Sequence, residues 1–112
     1  MFRIPNRIKI GWKEYDVVMA PSRLNSGAEL YGQIDYDAGV ITLRESSTPD
    51  QMRSTLIHET LHAVSEMYGL ELEEKLVTDL ANALYTVIKD NQEYQARKAD
   101  TFLSMDAAKS DG

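Results

Sequence analysis

The stretch from Thr48 to Asp90 constrains this 112-residue chain most, because it carries two runs of helical periodicity separated by only a few residues. Thr48 is placed to cap the first run. Pro49 suits the first helical position, and Gln51, three residues after the threonine, completes a capping box. That helix is expected from Pro49 to about Met67, stopping near Gly69. A second is expected from about Glu71 to Asp90, with Leu76, Val77, Leu80, Ala81, Leu84, Val87 and Ile88 on one apolar face. So short a connection makes the two helices pack antiparallel.

Upstream the periodicity changes. Ile8 to Ile10 and Tyr15 to Met19 are β-rich runs parted by Gly11, Trp12 and Lys13, which reads as a bent strand or a loose hairpin. Pro21 to Glu29 is a polar connection. Tyr31, Ile34 and Tyr36 then alternate before a turn at Asp37 to Gly39, and Val40 to Leu43 follows, giving a second hairpin. Trp12 is expected in the core or on a sheet face. The fold class is therefore α+β: a small antiparallel sheet followed by an antiparallel helix pair. Residues 1–91 form one domain, and residues 92–112 are a tail or short helix, partly disordered, with Tyr94, Phe102, Leu103 and Met105 as its apolar residues.

Composition narrows the chemistry. With 43% apolar and 27% charged residues the chain can bury a core. It has no cysteine, which removes disulfides, Cys-ligated zinc, iron–sulfur clusters and thiol nucleophiles. The net charge of −6 argues against nucleic acid as the primary partner, although residues 1–23 are locally basic. No run approaches the roughly 20 apolar residues of a membrane span, and the N-terminus lacks a signal-peptide block. The expected location is the cytoplasm, without a membrane partner.

Only two histidines exist, and both fall in the pentapeptide His58, Glu59, Thr60, Leu61, His62, which is HExxH. On a helix, positions i and i+4 share a face, so both imidazoles can reach one ion with the glutamate at the edge of that face. Spacing at about 100° per residue puts Met52, Leu56, Ile57, Leu61, Val64 and Met67 on one side, and His58, Glu59 and His62 opposite, with Thr55 and Glu66. Neutral imidazole and carboxylate suit one Zn²⁺ ion with an open fourth position. The bland alternative is a pair of ordinary solvent-facing histidines.

A third protein ligand must be an acid, since no other histidine and no cysteine remain. Glu66 flanks His62 on the same helix. Glu73 and Glu74 open the second helix, where two acids also stabilise a helix start. Glu74 lies at the edge of the apolar stripe, toward the mouth between the helices, and Glu73 lies along the stripe. Simple length matching favours Asp79 instead. Glu74, Glu73 and Asp79 all stay open on spacing alone.

The segment Ser54 to Asn91 resembles the small HExxH zinc metallopeptidase-like proteins of phages and prophages, related in outline to gluzincin-type, ImmA/IrrE-like and SprT-like peptidases. In such proteins a short sheet precedes the HExxH helix, and the next helix opens with a Glu three residues before an apolar position, as Glu74 stands before Val77. With the hairpins included the likeness covers about Ile8 to Asn91. The resemblance implies zinc held by His58, His62 and Glu74. It implies Glu59 as the general base that takes a proton from a metal-activated water attacking a peptide carbonyl and later passes it to the leaving amine. It also implies a peptide or protein substrate and, for a phage-encoded chain, the host cytoplasm.

An oxyanion partner is not fixed by spacing; Tyr31, Tyr68 and Tyr85 are the candidates. The strand with Tyr31, Gly32 and Ile34 can also offer an edge to an extended peptide. Two rival readings stand beside hydrolysis: a non-catalytic interaction module braced by zinc, and a metal-free helical hairpin acting through its apolar surfaces.

Overall fold

A computed structural model describes residues 2–21 and 31–110, with side chains up to residue 92. The elements are β1 (Arg7–Ile10), β2 (Lys13–Ala20), β3 (Gly32–Asp35), β4 (Val40–Arg44), α1 (Pro49–Tyr68) and α2 (Glu74–Ser110). The polar connection expected over Pro21 to Glu29 lies outside the described residues beyond Pro21.

Both expected hairpins form. β1 and β2 pair antiparallel across a two-residue loop in which Gly11 takes the left-handed φ of 61°. Trp12 occupies the tip of that loop and is 78% exposed, so the expectation of a core or sheet-face aromatic is wrong: a loop two residues long has no neighbouring surface to cover its second side chain. β3 and β4 pair antiparallel across a turn in which Asp35 Oδ1 accepts from the Ala38 N–H (2.9 Å) and the Asp35 carbonyl accepts from the Gly39 N–H (2.9 Å).

The sheet is mixed, not antiparallel throughout. Its order is β1-β2-β4-β3, and β2 pairs parallel with β4. The eleven residues between Ala20 and Gly32 are long enough to step over one strand position, so β3 takes the edge and β4 returns into the centre. Side-chain chemistry favours that order. β4 carries Ile41 and Leu43, both fully buried, whereas β3 (Gly-Gln-Ile-Asp) has little to bury. One face of the sheet presents Ile10, Tyr15, Val17, Ile41 and Leu43 to Leu56 and Ala63 of α1.

α1 begins and ends where the sequence places its caps. The Thr48 hydroxyl accepts from the Gln51 N–H, Pro49 opens the helix, and Gly69 (φ 62°) closes it in the left-handed conformation; the capping box itself is not completed, because the Gln51 side chain donates forward to Thr55 Oγ1 (3.1 Å). α2 lies against α1 through Val77, Ala81 and Tyr85. Ser54 pairs with Asn82 (3.0 Å), and Asp50 accepts from the Tyr85 hydroxyl and from Lys89 Nζ (3.1 Å). Early residues of α1 thus meet later residues of α2, and the pair is antiparallel.

Two details of the second helix differ from expectation. Leu76, Leu84 and Val87 are exposed, because among the described elements α2 packs on α1 alone, which covers only part of a stripe that wide. The helix also does not stop at Asp90 but runs unbroken to Ser110, so among the described residues 92–110 continue α2 and form no separate short helix. Between Asn91 and Ser110 there is no glycine or proline to end it, and Gln92, Glu93, Gln95, Ala96, Arg97 and Lys98 all favour helix. No described helix is long and apolar enough to cross a membrane.

Candidate metal centre

His58, Glu59 and His62 lie in the third and fourth turns of α1, where the helix is covered on two sides, by the sheet and by α2. A helix flanked in this way has no fully solvent-facing polar side. Thr55 and Glu59, expected on the polar face, are buried, while Met52 and Ile57 on the expected apolar side are only partly so. The polar face is instead the floor of a cleft of about 500 Å³ between β3 and α2, with Gly32 and Gln33 on one wall and Glu74, Thr78 and Asn82 on the other.

The two imidazoles converge: His58 Nε2 and His62 Nε2 are 3.1 Å apart. Glu74 completes a triangle, with Oε1 at 2.8 Å from His58 Nε2 and Oε2 at 2.8 Å from His62 Nε2. Tetrahedral donors about 2.0–2.1 Å from a shared ion lie roughly 3.3–3.4 Å from each other. The observed spacings are slightly tighter, as for such a set closed by hydrogen bonds. Each neutral ring can give one N–H to the carboxylate, but the two nitrogens are then left facing each other without an acceptor between them. Three donors that meet at one point fit a single divalent ion. Glu59 offers a carboxylate oxygen within 4.8 Å of a ring nitrogen of each histidine, so it adjoins the pair. Of the two carboxylates Glu74 is the one in contact with both rings.

Of the other acids named from the sequence, Glu66 lines a smaller cavity beside His62 without contacting the rings, and Asp79 and Glu73 are elsewhere. Asp79 is taken by Lys75 at 2.7 Å on the outer surface of α2, and Glu73 gives its carbonyl to the Val77 N–H (3.0 Å) at the start of that helix. Length matching fails for Asp79 because the connector carries α2 back steeply. Gly69 and Glu71 both take positive φ (62° and 54°), the Leu70 N–H donates to the Ser65 carbonyl (3.0 Å), and the Leu72 N–H donates to Ser65 Oγ (3.0 Å). Residues 69–73 are thereby folded onto the last turn of α1, and the first residue of α2 stands over His58 and His62.

Glu59 is only 6% exposed and faces the cleft. Burial, reinforced by the nearby Glu74 carboxylate, pushes its carboxyl up to about 7. A dication at the centre would oppose that shift by favouring the carboxylate. In either case the group sits where it can take up or release a proton beside the two histidines.

β3 runs along the other wall. A Cβ on Gly32 would fall 2.4 Å from Thr55 Cγ2 and 3.0 Å from the Thr42 carbonyl, so only glycine lets the strand approach α1 this closely. The Arg44 N–H donates to the Tyr31 carbonyl (2.9 Å), and antiparallel alternation then aims the backbone groups of Gly32 and Ile34 away from β4, toward the open edge. Of the three tyrosines named from the sequence, Tyr31 lines the cleft; Tyr85 gives its hydroxyl to Asp50 and Tyr68 lies beside Gly11, both away from it. Tyr36, not singled out from the sequence, lines a smaller cavity beside His62. A glycine inside a strand pattern signals close backbone approach and marks Gly32; nothing in the sequence marks Tyr36.

Compared with protein-family models, with curated proteins and with solved structures, the chain gives no match to any of the three.

Proposed function

We propose that the protein is a zinc-dependent peptide-bond hydrolase in which His58, His62 and Glu74 hold the metal and Glu59 is the general base. One observation carries this reading: two imidazole nitrogens and a carboxylate from a different helix meet within 2.8–3.1 Å beside a buried glutamate, in a cleft bordered by an edge strand. Zinc bound there would supply Lewis-acid polarisation of a carbonyl and a water more acidic than bulk water.

The chain's own groups supply the rest. Glu59, beside the centre and shielded from solvent, accepts the proton that the attacking water loses and returns it to the departing amine. Gly32 and Ile34 offer outward backbone N–H and C=O groups, to which an extended peptide can add as a further strand. Gly32 brings that edge against α1, so a peptide on it passes over His58 and Glu59. The substrate class is therefore a peptide or a locally unfolded protein segment.

The test is zinc stoichiometry by elemental analysis, followed by cleavage of an unfolded protein by the zinc-loaded wild type and by Glu59→Gln. The expected result is one zinc per chain in both and a loss of about 10²–10⁴-fold in cleavage for the variant. Equal cleavage by both would remove Glu59 from the mechanism. Zinc uptake that raises the melting temperature with no cleavage of any substrate would favour the rival reading, in which the metal only staples α2 to α1.

A further inference from the structure

We infer that Asn82 and Gln51 form a side-chain subsite for a neutral carboxamide, so that the peptides this centre cleaves carry glutamine or asparagine within about two residues of the cut bond. The inference rests on the peptidase reading above and names the substrates for it.

Two rows of residues face each other across the cleft. Ser54, His58 and His62 follow one another at i, i+4 and i+8 on α1, and Glu74, Thr78 and Asn82 do the same on α2, which runs the opposite way. One end of this ladder is the metal centre, where Glu74 meets both rings. The other end is closed by Ser54 Oγ, which donates to Asn82 Oδ1 (3.0 Å). Ser54 lies one helical turn from His58, about 6 Å along the axis, and an extended peptide spans that distance in about two residues. Gly32 stands against Thr55 at this same end, so a peptide added to β3 passes it.

The bonds made here leave one donor group and one acceptor unspent. With Oδ1 turned to Ser54, the Asn82 amide presents Nδ2 on its other side, and among the described residues neither N–H of that nitrogen has a partner. Gln51 is fixed the other way round: its Nε2 donates to Thr55 Oγ1 (3.1 Å), and its Oε1 accepts from no described residue. Ser54 and Thr55 are neighbours in the chain, so the spare Nδ2 of one amide and the spare Oε1 of the other border the same part of the cleft. A primary carboxamide accepts through its oxygen and donates through its nitrogen, and so satisfies both at once.

Other side chains fit less well. Among the described residues Glu59 and Glu74 are the only acids lining the cleft, both at the centre, and no lysine or arginine lines it. A charged side chain at the Ser54 end therefore finds no counter-charge. An aliphatic one would cover Nδ2 and Oε1 and leave them unpaired. Thr78 and Gln33 add further neutral polar groups to the walls, and the Tyr31 ring is the one large apolar surface.

The test starts from an unfolded protein digested by the zinc-loaded wild type, with the cut sites read by mass spectrometry. Glutamine or asparagine should stand within two residues of most cuts. In a peptide spanning one such cut, replacing that glutamine by the similarly sized glutamate or methionine should lower kcat/KM by about 10-fold or more. Asn82→Asp keeps the acceptor for Ser54 and turns the spare donor into a second acceptor. This variant should lose the preference for glutamine and cut the lysine-substituted peptide about 10-fold better than the wild type does. Binding gives a readout without turnover: in calorimetry, zinc-loaded Glu59→Gln should hold the glutamine peptide about 10-fold more tightly than the methionine peptide, and adding Asn82→Asp should abolish the difference. Cleavage without this preference, or the same preference in Asn82→Asp, would overturn this inference alone and leave the peptidase reading standing. A wild type that takes up no zinc, or cleaves no peptide, would overturn that reading and this inference with it.

Discussion

Glu74 Oε2 stands 2.8 Å from His62 Nε2 although the two residues belong to different helices. The contact depends on the connector. Ser65 binds both Leu70 and Leu72, so α2 starts directly above the last turns of α1 and its first residue reaches back over the histidines. A carboxylate placed this way is a ligand if a metal is bound and a hydrogen-bond acceptor if none is. Glu74→Ala should weaken zinc binding by more than about 100-fold, beyond what loss of a merely supporting hydrogen bond costs. Glu73→Ala and Asp79→Ala should leave it within about 3-fold, since neither carboxylate is placed against the rings. Calorimetric titration of the three variants with zinc decides the matter, and equal affinities for all would displace Glu74 from the ligand set.

Gly32 marks the second dependence, between β3 and α1. A methyl group at this position would meet the buried Thr55 side chain at 2.4 Å, and Thr55 is β-branched with little freedom to turn inside a helix. Gly32→Ala must push the strand outward. The expected cost is about 1–3 kcal/mol of stability, as for other overpacked sites, measured by urea unfolding. Gly32→Ala together with Thr55→Ser removes the methyl that would clash and should recover most of that loss. No recovery in the double variant would show that the strand is held off by something other than Thr55.

How much of this was legible beforehand depended on how local each cause is. Thr48, Pro49, Gln51 and Gly69 fix the ends of α1 through bonds within a few residues, and HExxH places two imidazoles on one face through helix geometry alone. The sheet order was not legible, because the parallel β2–β4 pairing is decided by which strand has more to bury and by a connection long enough to permit it. The exposure of Leu76, Leu84 and Val87 follows from how few neighbours α2 has, which no periodicity reports. Spacing favours Glu74 at the edge of the stripe but leaves Glu73 and Asp79 open, because straight helices joined by a generic loop place all three within reach. The positive φ of Gly69 and Glu71 separates them. Tyr36 sits beside His62 only through the packing of the second hairpin on α1.

Glu71 provides a test of that connector. Its φ of 54° is a left-handed conformation that costs an L-residue about 1–2 kcal/mol, against about 0.5–1 kcal/mol for the extra chain entropy of glycine. Glu71→Gly should therefore stabilise the protein by roughly 0.5–1 kcal/mol, and Glu71→Val, which adds branching at Cβ, should destabilise it. Chemical denaturation of both variants gives the two signs. Because the Ser65 bonds persist in Glu71→Gly, its zinc affinity should match that of the wild type.

At the far end of the helix pair, Asp50 accepts hydrogen bonds from Tyr85 and Lys89 and lies 3.8 Å from Arg53, tying the first turn of α1 to α2. The Tyr85 hydroxyl first, and then the Lys89 ammonium, hold its carboxyl below the usual carboxylate range. A group whose pKa is lower folded than unfolded stabilises the fold fully above the unfolded value, about 3.9 for Asp, and loses that contribution as the pH falls through the folded value. Asp50→Asn should accordingly lower the melting temperature at pH 7, and the gap to the wild type should shrink below about pH 4 and close under more acid conditions. Melting curves from pH 7 to pH 2 at low salt display this, with the gap narrowing at high salt because the Lys89 contact is solvent-facing. A gap that stays constant down to pH 2 would mean that Asp50 acts through its shape at the start of α1 and not through its charge.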